Sequence, residues 1–222
     1  RGHAPYARWL IDTYIRAADS EKSSAFDDMS LIQLIVERGP EAVNTLPNGI
    51  RKSEEAVAET IENNVRRLII NESPVDPAYY EKMSKLLDAL IEQRRKGVID
   101  YKMYLEDIAV LTRLTNTPGG GSVAYPTTID TRGKRALYNN LGKDATLALA
   151  IDKAVQASRQ DGWRGNAMKT RRVRNAIKAV LEQAFLDTQA AEFTGIREDP
   201  AEYSLEAEAT RILELVKHQN DY

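Results

Sequence analysis

The chain has 222 residues, of which 42% are hydrophobic, 29% charged and 7% aromatic, with no cysteine and a formal charge of −2. That composition can bury one large core or two small ones, and it suits helices better than an all-β fold. The lack of cysteine excludes disulfides, thiolate metal sites and cysteine nucleophiles and fits a cytoplasmic protein; no apolar run reaches the roughly 18 residues of a membrane span, so no membrane partner is expected.

The chain opens Arg1-Gly2-His3-Ala4-Pro5 without Met and is read as a piece of something longer. Apolar residues recur at three and four almost throughout, the helix period, and no segment reads as a strand. Tyr6 to Ala18 is predicted to bury Trp9, Leu10, Tyr14 and Ile15. Ser30 to Arg38 forms a short helix stopped by Gly39-Pro40, and Glu41 to Leu46 a further short one. Pro47-Asn48-Gly49 reads as a turn, after which Ser53 caps a helix with the stripe Val57, Ile61, Val65, Leu68 and Ile69.

Asp76-Pro77 is an N-cap followed by proline at the first helical position. It opens a helix whose Tyr80, Met83, Leu87, Leu90 and Ile91 share a face as far as Gly97. Asp100 starts its hairpin partner, through Leu105, Ile108, Leu111 and Leu114. Thr117 to Ser122 has linker composition, and Pro126 extends the interruption to Asp130. The expected division is an N-terminal helical subdomain at 1–117, a Pro/Gly-rich linker at 118–130 and a C-terminal helical subdomain at 131–222. In the last, helices are predicted from Thr131 to Leu141, Asp144 to about Arg159, about Ala167 to Thr188 and about Ser204 to Gln219. The final one buries Leu205, Ala209, Ile212, Leu213 and Val216. The fold class is all-α, a multi-helix bundle.

Searching for chemistry selects no catalytic or metal-binding residue. His3 and His218, the only histidines, lie near opposite ends in polar sequence and read as surface residues. Gly119 to Ser122 lacks the Gly-Lys-Ser/Thr ending of a phosphate loop and reads as linker. The acidic residues, among them Glu55, Glu62, Glu81, Glu92, Glu206 and Glu208, read as solvated faces.

Charge is unevenly spread. Between residues 131 and 180 there are 12 Lys/Arg against 3 Asp/Glu, so this stretch carries +9 and the rest −11. At about 100° per residue, Val173, Ile177, Val180, Leu181 and Ala184 form a buried stripe. Arg171, Arg174 and Lys178 are then predicted to share an outward strip, with Arg172 on the other flank. Cations so placed call for acidic neighbours or a polyanion, and phosphate backbone is a natural one. Arg164, Lys169, Lys134 and Arg135 are further candidate phosphate contacts. An acidic protein partner or the chain's own acidic half would satisfy the same residues. Trp163, beside Gly162, could stack on a base, dock on a partner or anchor the core.

Several ordered segments resemble one family. Glu59-Thr-Ile-Glu-Asn-Asn-Val-Arg-Arg-Leu-Ile and Tyr79-Tyr-Glu-Lys-Met-Ser-Lys-Leu-Leu-Asp-Ala-Leu-Ile-Glu-Gln-Arg-Arg are similar to the C-terminal helical region of type I restriction enzyme R (motor/restriction) subunits. So are Lys134-Arg-Ala-Leu-Tyr-Asn-Asn-Leu-Gly-Lys-Asp and the run from Asp161-Gly-Trp-Arg-Gly-Asn to Arg174-Asn-Ala-Ile-Lys. The resemblance spans about residue 26 to the end. It implies a module that joins the methyltransferase/specificity core and handles double-stranded DNA backbone. It also implies that the nuclease and motor domains, with their ATP and Mg, lie elsewhere in the parent, so this fragment needs no cofactor and is not itself an enzyme. A purely protein-docking domain is the alternative; a free-standing helical nuclease is the third reading.

Overall fold

The structure is a computed structural model and describes residues 31–46, 48–117, 125–191 and 201–222. The helix predicted over Tyr6 to Ala18, along with His3, Pro47 and residues 118–124 of the Pro/Gly-rich stretch, lies outside them. The described residues form helices and connecting turns with no strand, so the fold is all-α. Among them, no helix is long and apolar enough to cross a membrane.

Helix α1 (Leu31–Arg38) runs into a 3-10 helix, Gly39–Thr45, over the stretch where the sequence predicts a further short helix from Glu41 to Leu46. Asn48 and Gly49 are not a reverse turn but open the single helical turn α2 (Asn48–Arg51). Helices α3 (Glu54–Glu72), α4 (Pro77–Arg95) and α5 (Tyr101–Asn116) follow. Their starts are fixed by side-chain oxygens that accept from otherwise orphaned backbone N–H groups: Ser53 from Ala56, Asp76 from Tyr79 and Asp100 from Met103. Gly97, at φ +67°, makes the left-handed turn that folds α5 back on α4. α1 lies on α5, and α3 on both α4 and α5. Their shared core includes Leu34, Val57, Ile61, Tyr80, Leu87 and Ile108.

On α5 the buried face is rotated from the predicted one. Leu105 and Leu114 are half-buried, while Tyr104, Thr112 and Thr115 are buried. Burial of these polar residues is tolerated because each hydroxyl has an acceptor: Tyr104 donates to Glu62 Oε1 at 2.9 Å, Thr112 to the Ile108 carbonyl at 2.6 Å and Thr115 to the Leu111 carbonyl at 2.8 Å.

The second group comprises α6 (Arg132–Asn140), α7 (Ala145–Ser158), α8 (Ala167–Ala191) and α9 (Ala201–Lys217). α7 and α9 pack on α8, and α6 lies across α7 and α9. Thr131 and Asp144 cap α6 and α7. The core holds Leu137, Ile151, Val155, Val173, Ile177 and Ile212. The end of the predicted linker belongs to this core: Ile129 is 1% exposed and Tyr125 meets Tyr138 edge-on at 5.8 Å.

A polar seam joins the two groups where α4 meets α6. Asp76, buried at the start of α4, accepts from Asn139 Nδ2 at 2.7 Å and Asn140 Nδ2 at 2.8 Å, and Asn140 Oδ1 accepts from the Ala78 N–H at 3.3 Å. Asn139 Nδ2 also donates to the Tyr125 hydroxyl oxygen at 3.1 Å. Arg132 pairs with Glu72, and Gln219 Nε2 donates to the Val75 carbonyl at 2.6 Å. Burial pushes the Asp76 carboxyl up to about 6, against the three hydrogen bonds that favour its charged form.

Candidate nucleic-acid interface

The approach to α8 is built by local sequence. Gly162 takes φ +67°, a conformation that favours glycine, and turns the chain into the 3-10 helix Trp163–Gly165. Asn166 Oδ1 then accepts from the N–H groups of Met168 at 3.0 Å and Lys169 at 3.1 Å, capping α8. The Thr170 hydroxyl donates to the Trp163 carbonyl at 2.7 Å and locks the turn to the helix. Val173, Ile177 and Leu181 face inward as predicted, and Val180 and Ala184 are half-buried.

Trp163 is 3% exposed and sits in the second core, so it is neither a base-stacking platform nor a docking residue. Its apolar area is worth more inside than in solvent, and the preceding glycine lets the backbone turn it inward. Arg164 covers the indole at 5.0 Å and donates to the Lys217 carbonyl at 3.0 Å and the Gln219 carbonyl at 2.6 Å. It thereby ties down the carbonyl end of α9, where a cation is favoured.

The predicted outward strip of Arg171, Arg174 and Lys178 divides. Arg174 and Lys178 lie on the flank that meets α9, with side chains 32% and 25% exposed, and both reach Glu206. Arg174 Nη1 is 3.0 Å from Glu206 Oε1 and Lys178 Nζ is 3.3 Å from Glu206 Oε2. Glu182 Oε1 is a further 3.7 Å neighbour of Lys178. The chain's own acidic residues therefore meet these two cations, and Glu206, with its side chain 41% exposed, bridges the two helices.

Arg171 and Arg172 are exposed, and neither side chain has a partner among the described residues. Lys169 Nζ donates to the Asp161 carbonyl at 2.7 Å. Lys134 and Arg135 lie on α6, not on the α8 strip. Lys134 Nζ is 2.8 Å from Asp130 Oδ1, a hydrogen bond that pulls its ammonium above the usual lysine range. Arg135 sits over the Tyr125 ring at 5.4 Å and donates to the Ile129 carbonyl at 3.5 Å.

Glu62 also departs from its predicted place on a solvated face. It is buried and flanked by Arg94, 3.2 Å away, and the Tyr104 hydroxyl, while the other arm of Arg94 meets Glu55. Beside it, an open cleft of about 370 Å³ carries both signs of charge, with Arg66 Nη2 spanning to Asp88 Oδ1 at 2.7 Å. Among the described residues no group of three or more His, Asp or Glu is placed to hold a metal ion. His218 is exposed.

The residues that join the helices, Asp76, Asn139, Asn140 and Glu206, were not singled out for that task by sequence reasoning. The one available signal was angular: Arg174 and Lys178 fall on the flank of the buried stripe, not opposite it. No protein-family model, curated protein or solved structure matches the chain.

Proposed function

We propose that the chain is the C-terminal assembly and DNA-contact module of a type I restriction enzyme R subunit, touching duplex backbone without reading bases. The observation that carries the reading is the pair Arg171 and Arg172, adjacent, exposed and lacking a carboxylate partner among the described residues, on a helix inside the resembling segments. Guanidinium groups grip phosphate with two parallel hydrogen bonds, and backbone contacts position a protein on DNA without sequence information. In this reading the rest of the bundle docks on the methyltransferase/specificity core, and ATP-driven translocation and cleavage belong to the parent's other domains.

A second reading, a purely protein-docking domain, is favoured by Arg174 and Lys178: cations that accept Glu206 would equally accept a carboxylate of the core enzyme. Titration of an arbitrary-sequence DNA duplex at low salt separates the two. The DNA-contact reading expects the parent to bind and Arg171→Glu/Arg172→Glu to lose most of that affinity with an unchanged circular dichroism spectrum. Failure of the parent to bind, or equal binding by both proteins, removes the DNA contact and leaves protein docking.

A further inference from the structure

We infer that Glu206 is a built-in competitor for phosphate, a carboxylate that occupies Arg174 and Lys178, two of the five cations of α8, and holds the module's grip on a polyanion below its maximum. The inference rests on the DNA-contact reading and adds a control element to the same site. Its basis is the division of these cations: Arg174 and Lys178 are paired with Glu206, whereas Arg171 and Arg172 have no carboxylate partner among the described residues.

Glu206 places one oxygen on each paired cation, Oε1 on Arg174 and Oε2 on Lys178, as two oxygens of a phosphate would. The arrangement is not the strongest one an arginine can make. Arg174 meets the carboxylate through Nη1, and its Nε, although buried, has no hydrogen-bond partner. A two-armed fork on one anion is the better geometry. The side chains of Glu206, Arg174 and Lys178 are 41%, 32% and 25% exposed, so an incoming anion can reach them and Glu206 can turn toward water. Ion pairs this exposed hold their partners weakly, whereas a duplex gains from each phosphate contact by releasing counterions.

Arg171, Arg172, Arg174 and Lys178 stand against Glu206 and Glu182, a net +2 for these six residues. Neutralising Glu206 raises it to +3 and frees two contacts. Neutralising Glu182 changes net charge equally but frees only the longer contact to Lys178, which separates release of the bridge from a general charge effect.

The experiment compares the parent chain with Glu206→Gln, Glu206→Asp and Glu182→Gln, with thermal melts to confirm folding. Each is titrated with an arbitrary-sequence duplex and, separately, with long-chain inorganic polyphosphate across a salt series. Glu206→Gln is expected to bind duplex roughly threefold to tenfold more tightly, with a salt slope steeper by up to about 1.8, twice the value for one phosphate. Glu206→Asp keeps the charge but withdraws it by one methylene and is expected to gain part of that increase. Glu182→Gln is expected to gain much less. Equal gains from Glu206→Gln and Glu182→Gln, or no gain from Glu206→Gln with either probe, overturn the inference. If no protein binds duplex but Glu206→Gln gains affinity for polyphosphate, the competitor role stands and the DNA reading falls.

Discussion

Asp76 offers the sharpest test of the seam between the two helical groups. Its carboxyl caps α4 and accepts from Asn139 and Asn140, yet burial outweighs those bonds and pushes it from 3.8 up to about 6. In the folded chain the proton is held until about pH 6, whereas the unfolded chain releases it near 3.8. The folded state therefore binds more protons in that window, so the stabilisation is whole below about pH 4 and is lost as pH rises through about 6. The difference between those two values corresponds to about 3 kcal/mol. Asp76→Asn keeps a good N-cap and cannot ionise. The assay is urea unfolding of both proteins followed by far-UV circular dichroism from pH 4 to pH 7, reading the stability difference so that other carboxylates cancel. The parent is expected to lose about 2 to 3 kcal/mol relative to Asp76→Asn as pH rises. A constant difference, or a parent that gains on the variant, would show that the hydrogen bonds outweigh desolvation and refute the reasoning.

Three further outcomes follow from the packing. Arg94→Leu leaves Glu62 buried without its cation, and urea unfolding at neutral pH should register a loss of about 3 to 5 kcal/mol; under about 1 kcal/mol would mean that water reaches Glu62. Gly133→Ala would place a Cβ 2.9 Å from Asp221 Oδ2 and 3.0 Å from the Tyr222 ring, against a tail held by the Gly133 N–H and by Tyr222 donating to Asp152. Its cost should be about 1 to 3 kcal/mol by thermal melt, and an unchanged melt would mean that the tail simply shifts. Arg164→Ala gives up two carbonyl contacts at the end of α9 and the cover over Trp163, about 1 to 3 kcal/mol, whereas Arg172→Ala should stay within about 0.5 kcal/mol. Equal effects from the two arginines would contradict their different placement.

Local chemistry made much of the fold legible. Ser53, Asp76, Asp100, Thr131 and Asp144 each sit three residues before the N–H they accept, a spacing within one turn of chain, so helix starts could be read directly. The stripes of α4, α8 and α9 followed from period alone. What sequence did not disclose lies between distant segments. Asn139 and Asn140 are 63 and 64 residues from Asp76, and periodicity carries no information about which flank of one helix meets which flank of another. The same limit hid Glu206 from Arg174 and Lys178. Trp163 was ambiguous because a glycine-flanked loop can turn an indole inward or outward with equal ease, and only the core beside it decides.

The most direct test of the DNA-contact account is the salt dependence of duplex affinity for the parent and for Arg171→Ala/Arg172→Ala. The account predicts a linear fall of log affinity with log salt for the parent, and a slope shallower by about 1.8 in the variant, about 0.9 for each phosphate contact removed. Identical slopes in two folded proteins would contradict it.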